Sequence, residues 1–200
     1  MHAYRWLRSQ ATASPRSDYR AKTLLQPLTA VASERSIAED PRVIAIEAAS
    51  IAEVVASNLA RDVADRVRER ASAKDVDVIV HCTCGGVKVH PDAFLVALHE
   101  VVVNAVQAAR RGHPVVLDVR AHELERDVVW QVHDSGVGMS ADVLTALGQS
   151  RASTWGRAGI GVALAGAIVA RHGGSLRFES ALGVGTTASI WLPGVHHDGG

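Results

Sequence analysis

The sequence predicts an α+β protein: a two-layer α/β sandwich, with helices on one face of a mixed sheet, preceded by a short helical hairpin. Three observations carry this. From Val76 onward, short β-branched runs alternate with longer apolar runs of helical period. The strand runs 115–121 and 127–134, and again 175–180 and 186–192, are joined by links short enough for hairpins, which makes those pairs antiparallel. Ahead of Val76, apolar residues recur at three- and four-residue spacing, the pattern of amphipathic helices.

Residues 1–17 are polar and Arg-bearing and read as a flexible N-terminus. A helical pattern over 18–39 stops near Asp40 and Pro41. Pro41 suits the first turn of a second helix, where its missing N–H is an orphan donor in any case. That helix is expected over 42–57, with Val43, Ile44, Ile46, Ala49, Ile51, Val54 and Val55 apolar. The two helices form the hairpin, assigned to 18–58. A third helix, 60–73, opens the main domain (59–194) and sets Ala60, Val63, Ala64, Val67 and Ala71 on one face. A strand over 76–84 turns at Gly85-Gly86 into Val87-Lys88-Val89. Pro91 then starts a helix that ends near Gly112. Past the first hairpin, Ser140 is placed to N-cap a short helix. A polar segment, 149–155, separates it from a helix over 162–171, which Gly173-Gly174 terminates. The last hairpin leads to a flexible tail, 195–200, where His196, His197 and Asp198 read as disordered.

Composition agrees. The 200 residues suit one ordinary domain plus a smaller element. Apolar residues make up 48% and aromatics only 4%, so Val, Ala and Leu must fill the core. Lys+Arg and Asp+Glu stand at 21 each, so bulk charge recruits neither nucleic acid nor an acidic membrane. No apolar run approaches the roughly 18 residues of a membrane span, and no signal-peptide pattern opens the chain. A cytoplasmic location is expected. Cys82 and Cys84 share one face of a strand. Despite His81 and His90 nearby, they read as core thiols rather than metal ligands or a disulfide.

Four short strings carry the chemistry: His99-Glu100-Val101-Val102-Val103-Asn104-Ala105, Asp134-Ser135-Gly136-Val137-Gly138, Gly156-Arg157-Ala158-Gly159-Ile160-Gly161, and Gly183-Val184-Gly185-Thr186-Thr187. Glu100 and Asn104 stand four apart in an apolar run, so a helix presents both on one face, one turn apart. Buried alone they would be costly; facing a pocket, the Asn carbonyl is a hard oxygen ligand of the kind Mg2+ takes. Glu100 can orient a water or polarise an attacking group. Asp134 closes a strand, and its ionised carboxylate is an acceptor suited to an exocyclic amine such as adenine N6. Gly136 and Gly138 permit close backbone approach to a flat base. Gly159-Ile160-Gly161 precedes a helical run, so its amides can meet phosphate oxygens at a helix N-terminus. Together the strings describe a site for a nucleoside triphosphate and its metal without a Walker P-loop.

In this order the strings resemble the N, G1, G2 and G3 boxes of bacterial sensor histidine kinases, within the superfamily that also holds gyrase, Hsp90-type chaperones and MutL. The stretch 159–174 is similar to the kinase consensus. So is the ending, with Phe178-Glu179-Ser180, the fourth string and Trp191-Leu192-Pro193. The resemblance covers about 60–194. It implies a Bergerat-type ATP-binding fold with ATP and Mg2+ as cofactors. It also implies catalytic roles for Glu100 and Asn104, and Asn104 as the metal ligand. The nucleotide-binding set it implies is Asn104, Ala108, Asp134, Gly136, Gly138, Met139, Arg151, Gly159, Ile160, Gly161, Val162 and Thr186. A homodimer through residues 18–58 follows from it, as does a response regulator or phosphotransfer protein as partner.

The chain departs from that pattern twice. The aromatic pair of the F box is missing from the lid, where Gln149-Ser150-Arg151-Ala152-Ser153-Thr154-Trp155 stands instead. Arg151 can contact a phosphate there, and Trp155 can replace the lost packing. A solvated loop is the alternative. The hairpin keeps Leu24-Leu25-Gln26-Pro27-Leu28, but Lys22 occupies the phosphoacceptor position and Thr23 that of the neighbouring acid. No histidine lies between His2 and His81. A Lys amine, with a pKa of about 10.4, is protonated at neutral pH and is no substitute nucleophile. Three activities remain open: histidine phosphorylation in trans, an anti-sigma-factor-type serine kinase, and a degenerate kinase that dimerises and docks a response regulator or phosphotransfer partner.

Overall fold

The computed structural model describes residues 51–121, 127–148 and 157–194. Strand β1 (Ala52–Val55) runs directly into helix α1 (Ala56–Ala73). Strands β2 (Val78–Cys82) and β3 (Gly86–Val89) precede the long helix α2 (Pro91–Ala108). Strands β4 (Val115–Ala121) and β5 (Asp127–Asp134) are followed by the short α3 (Ala141–Gly148). Helix α4 (Arg157–Arg171) and strands β6 (Ser175–Ala181) and β7 (Gly185–Pro193) complete the fold.

The main sheet has the order β2-β4-β5-β7-β6, parallel between β2 and β4 and antiparallel elsewhere. It is the mixed sheet the sequence predicts. Helix α2 lies at the centre of the helical layer and packs against both α1 and α4. Its position explains its composition: ten of its residues are buried, including Phe94, Leu98, Val102 and Val106. Helix α1 needs only a stripe, supplied by Leu59, Ala60, Val63, Val67 and Ala71, and carries its charges outward. Beneath them Trp130 is fully buried, with its ring edge-on to Phe94 at 5.1 Å between centroids.

Local chemistry sets the helix ends. Pro91 opens α2, and His90 caps it by accepting the Ala93 N–H on Nδ1 at 3.2 Å. Ser140 accepts the Val143 N–H at 3.4 Å ahead of α3, as expected of an N-cap. Beyond α4, Gly173 takes φ +73° and lets the chain turn back into β6.

Three expectations are corrected. The helix expected over 42–57 does not reach its end: Ala52–Val55 is a strand, antiparallel to β3, with Glu53 opposite Lys88. Two adjacent β-branched valines and an open partner edge outweigh the helical spacing. The next helix therefore starts at Ala56, four residues before the expected 60, and residues 52–58 pack with the main domain. Gly159-Ile160-Gly161 does not precede α4 but lies inside it, because the helix begins at Arg157. The rest of the hairpin, Lys22 included, lies outside the described residues, as do the 122–126 link, Arg151, Trp155 and the tail.

Cys82 and Cys84 are both free and half-buried, packed against the core as expected. Burial, reinforced by Cys82, pushes the Cys84 thiol up to about 12, which leaves it a poor nucleophile. Among the described residues no group of three or more His, Cys, Asp or Glu is placed to hold a metal. No described helix is long and apolar enough to cross a membrane.

Candidate functional site

The helix-facing side of the sheet changes character along β5, β7 and β6. Trp130, Ile190 and Leu176 stand in register across the three strands, then Val132, Ala188 and Phe178, then Asp134, Thr186 and Ser180. Residues two apart share a face, so the apolar core gives way to a polar row at one end of the sheet. That row is the floor of the site.

Asp134 is its hub. One carboxylate oxygen accepts the Gly136 N–H at 2.8 Å, and the group also accepts the Thr186 N–H. Burial pushes its pKa above the ordinary 3.8, against the pull of those two amides and of the positive charge on Lys74. A half-buried carboxylate held in place by two amides is a fixed acceptor. Three glycines make the surrounding loops fit. A Cβ on Gly136 would stand 2.1 Å from the Ala108 carbonyl oxygen, on Gly138 2.0 Å from that of Ala181, and on Gly185 2.1 Å from that of Asp134. Gly138 and Gly185 also take positive φ, +65° and +138°.

Helix α2 forms the wall. Ala108, at its C-terminal end, touches the 134–138 loop through Gly136. One turn earlier, Asn104 Nδ2 is buried with no hydrogen-bond partner among the described residues. A turn earlier again, Glu100 Oε2 lies where a side chain on Gly161 of α4 would be, and Oε1 is 3.7 Å from His99 Nδ1. From Glu100 to Ala108 the helix rises roughly 12 Å. The base-type acceptor therefore stands at one end of α2, and the carboxylate beside the start of α4 stands at the other. An orphaned Nδ2 donor between them, and a loop that tolerates no Cβ, fit a nucleotide lying along α2.

The structure thus places Glu100, Asn104, Ala108, Asp134, Gly136, Gly138, Met139, Gly161 and Thr186 along α2 and on the segments that meet it or the polar end of the sheet. Gly159 and Ile160 lie in the first turn of α4, where main-chain N–H groups lack helical partners, and half-buried Val162 follows in the next. Three contributors escaped sequence reasoning. Ser180 Oγ accepts the Met139 N–H at 2.8 Å and lies 2.9 Å from both the Gly185 carbonyl oxygen and Thr186 Oγ1. Lys74 donates from Nζ to the carbonyls of Val106 and Gln107, capping α2. Arg110 donates to the Gly183 carbonyl. Counting register back from Thr186 would have found Ser180; no sequence signal marks the other two.

The family model described as histidine kinase-, DNA gyrase B-, and HSP90-like ATPase matches residues 89–196. The chain belongs to this family. Within the family it is similar to the sensor histidine kinase ZraS of Escherichia coli K12, with 32% identity over 130 residues. That match covers 64% of this chain and 28% of ZraS. It is also 35% identical to the histidine protein kinase DivJ of Caulobacter vibrioides over 112 residues, 51% of this chain and 18% of DivJ. The chain thus spans less than a third of the length of these two curated relatives. Full-length ShkA, solved in complex with AMPPNP, is 26% identical, with a TM-score of 0.64 over 72% of this chain and 31% of that one. The mycobacterial sensor histidine kinase MprB, 24% identical, shares the fold with a TM-score of 0.62 over 72% of this chain and 97% of that one. The histidine kinase-like ATPase domain is accordingly similar to the ATP-binding domain of sensor histidine kinases.

Proposed function

We propose that this chain is the ATP-binding catalytic module of a two-component-type protein histidine kinase, which transfers the ATP γ-phosphoryl group to a histidine of another chain. The observation that carries the reading is the order of groups along α2: Ala108 with Gly136 and Asp134 at one end, Asn104 with its unpartnered Nδ2 between, and Glu100 against Gly161 at the other. Asp134 accepts a hydrogen bond from the adenine amine, and Gly136 and Gly138 let the base lie against the main chain. Asn104 supplies a side-chain oxygen to Mg2+. The first-turn amides of α4, with Arg151 of the lid, hold phosphate oxygens. Glu100 polarises the N–H of the incoming imidazole, which makes the ring nitrogen opposite a better nucleophile. Mg·ATP, when bound, supplies the phosphoryl group and neutralises the charge that builds on its oxygens. The chain's own contribution is positioning, so an acceptor in trans is served as well as one in cis.

Lys22 and Thr23, at the acceptor and acid positions, favour transfer in trans. The same two residues support a second reading, a non-catalytic dimer through residues 18–58 that docks a response regulator or phosphotransfer protein. A cytoplasmic location suits either. The test is incubation with Mg2+ and γ-labelled ATP, alone and with a histidine phosphotransfer domain. Acid-labile, base-stable label on the added domain supports transfer in trans. ATP binding without label on any chain replaces it with the docking reading, and acid-stable label replaces it with a serine kinase.

A further inference from the structure

One hydroxyl in the site uses its whole hydrogen-bonding capacity on the two loops that flank Asp134. Ser180 Oγ has one proton to give and two lone pairs to accept with. It accepts the Met139 N–H at 2.8 Å. Its proton reaches the Gly185 carbonyl oxygen at 2.9 Å, which leaves the second lone pair for the Thr186 hydroxyl at 2.9 Å. Met139 lies just past Gly138 in the loop that follows Asp134, and Thr186 gives its main-chain N–H to the Asp134 carboxylate. Ser180 therefore ties the loop after β5 to the start of β7, and both ends of that tie lead back to Asp134. The arrangement is sterically committed as well, because no Cβ fits at Gly138 or Gly185, the positions beside its partners.

We propose that Ser180 is a positioning residue for base recognition: its hydroxyl holds the Asp134 carboxylate and the Gly136–Gly138 main chain in the one arrangement that selects adenine. This rests on the ATP-kinase reading above. Ser180 touches no part of the Glu100–Gly161 end, so its loss weakens base readout and leaves phosphate binding alone. A merely structural serine would instead affect all nucleotides equally.

The experiment is calorimetry of the full chain with Mg·ATP and Mg·GTP. Ser180→Ala strands the Met139 amide and the Gly185 carbonyl, and its Kd for ATP rises about tenfold. Its Kd for GTP stays where it was, so the preference for ATP falls by the same factor. Ser180→Thr, which keeps the hydroxyl, restores the preference. Equal losses for both nucleotides, or an unchanged preference, overturn the proposal. If circular dichroism shows Ser180→Ala unfolded, Ser180→Cys gives the same ratio with the volume nearly kept and the donor weakened. A wild-type chain that binds neither nucleotide overturns the kinase reading and this proposal together. A discriminating wild type with an indifferent Ser180 variant overturns this proposal alone.

Discussion

Gly161 and Glu100 share one space: a Cβ on the glycine would stand 2.3 Å from Oε2 of the glutamate. The contact joins α4 to α2 at the end of the site proposed to hold phosphates. It makes the glycine a condition on where the carboxylate sits.

Gly161→Ala should therefore separate folding from transfer. Alanine is the better helix residue by roughly 1 kcal/mol, and the group it displaces is the far end of a flexible side chain. Thermal unfolding should move little, while phosphoryl transfer falls at least about tenfold as Glu100 is pushed aside. Transfer at the wild-type rate would show that the position of Glu100 is immaterial.

Asn104→Ala should weaken Mg·ATP binding far more than binding of metal-free ATP, because the lost group is the proposed cation ligand. Removing a side chain whose buried Nδ2 has no partner among the described residues should cost the apo protein little. Titrations with Mg2+ and with EDTA check this, and equal losses in both would remove Asn104 as a metal ligand.

Asp134→Asn should abolish ATP binding and yet stabilise the apo protein at neutral pH. Burial raises the folded-state pKa above 3.8, so the native state holds its proton more tightly than the unfolded chain does. Stability from this group is present below 3.8 and lost as pH rises through the raised value. The neutral variant escapes that loss. Its melting advantage should appear above that window and shrink toward pH 3.8; a variant less stable at neutral pH would contradict the burial argument.

His172 should make the domain acid-sensitive. It is 7% exposed, accepts the His90 N–H on Nε2 at 2.9 Å and gives its Nδ1 proton to the Ile168 carbonyl at 2.8 Å. Burial holds its pKa below 6.5, so the unfolded chain takes up the proton first. Stability is full above pH 6.5 and declines as pH falls below it. His133, also lowered by burial, adds to the slope in the same direction. His172→Gln should flatten the fall in melting temperature between pH 7.5 and 5.5 without removing it. An unchanged slope would leave His133 as its source.

Two glycines of the fourth string should differ. Gly183 has φ +78° and open space around it, so Gly183→Ala carries only the left-handed strain of about 1–2 kcal/mol. Gly185→Ala meets the Asp134 carbonyl oxygen at 2.1 Å and must shift the strand that holds Thr186. Urea unfolding should rank Gly185→Ala well below Gly183→Ala, and ATP affinity should follow the same order. Equal effects would mean that the turn yields as a unit.

Much of the architecture was legible because it is local. The hairpin of β4 with β5, the Pro91 start of α2, the Ser140 cap and the Gly173 stop all follow from residue types within a turn of the feature they set. Glu100 and Asn104 were legible for the same reason, since four-residue spacing on a helix fixes their common face. β1 was misread because its partner, β3, lies some thirty residues along the chain, and apolar spacing over 42–57 cannot report an edge that exists only after folding. The start of α4 was misplaced because glycines look like loop residues until Glu100 is seen to need the space beside Gly161.

By itself, the sequence determined the fold class, the order of the four strings and the types of group proposed to meet a nucleotide, because these depend on composition, periodicity and spacing. Tertiary structure alone decided which of those groups face one another: Asp134 held by the amides of Gly136 and Thr186, Ser180 bound to Met139 across the sheet end, Lys74 on the last turn of α2. Each of these joins parts of the chain through strand register or helix packing. Register is a relation between strands, and no single segment carries it.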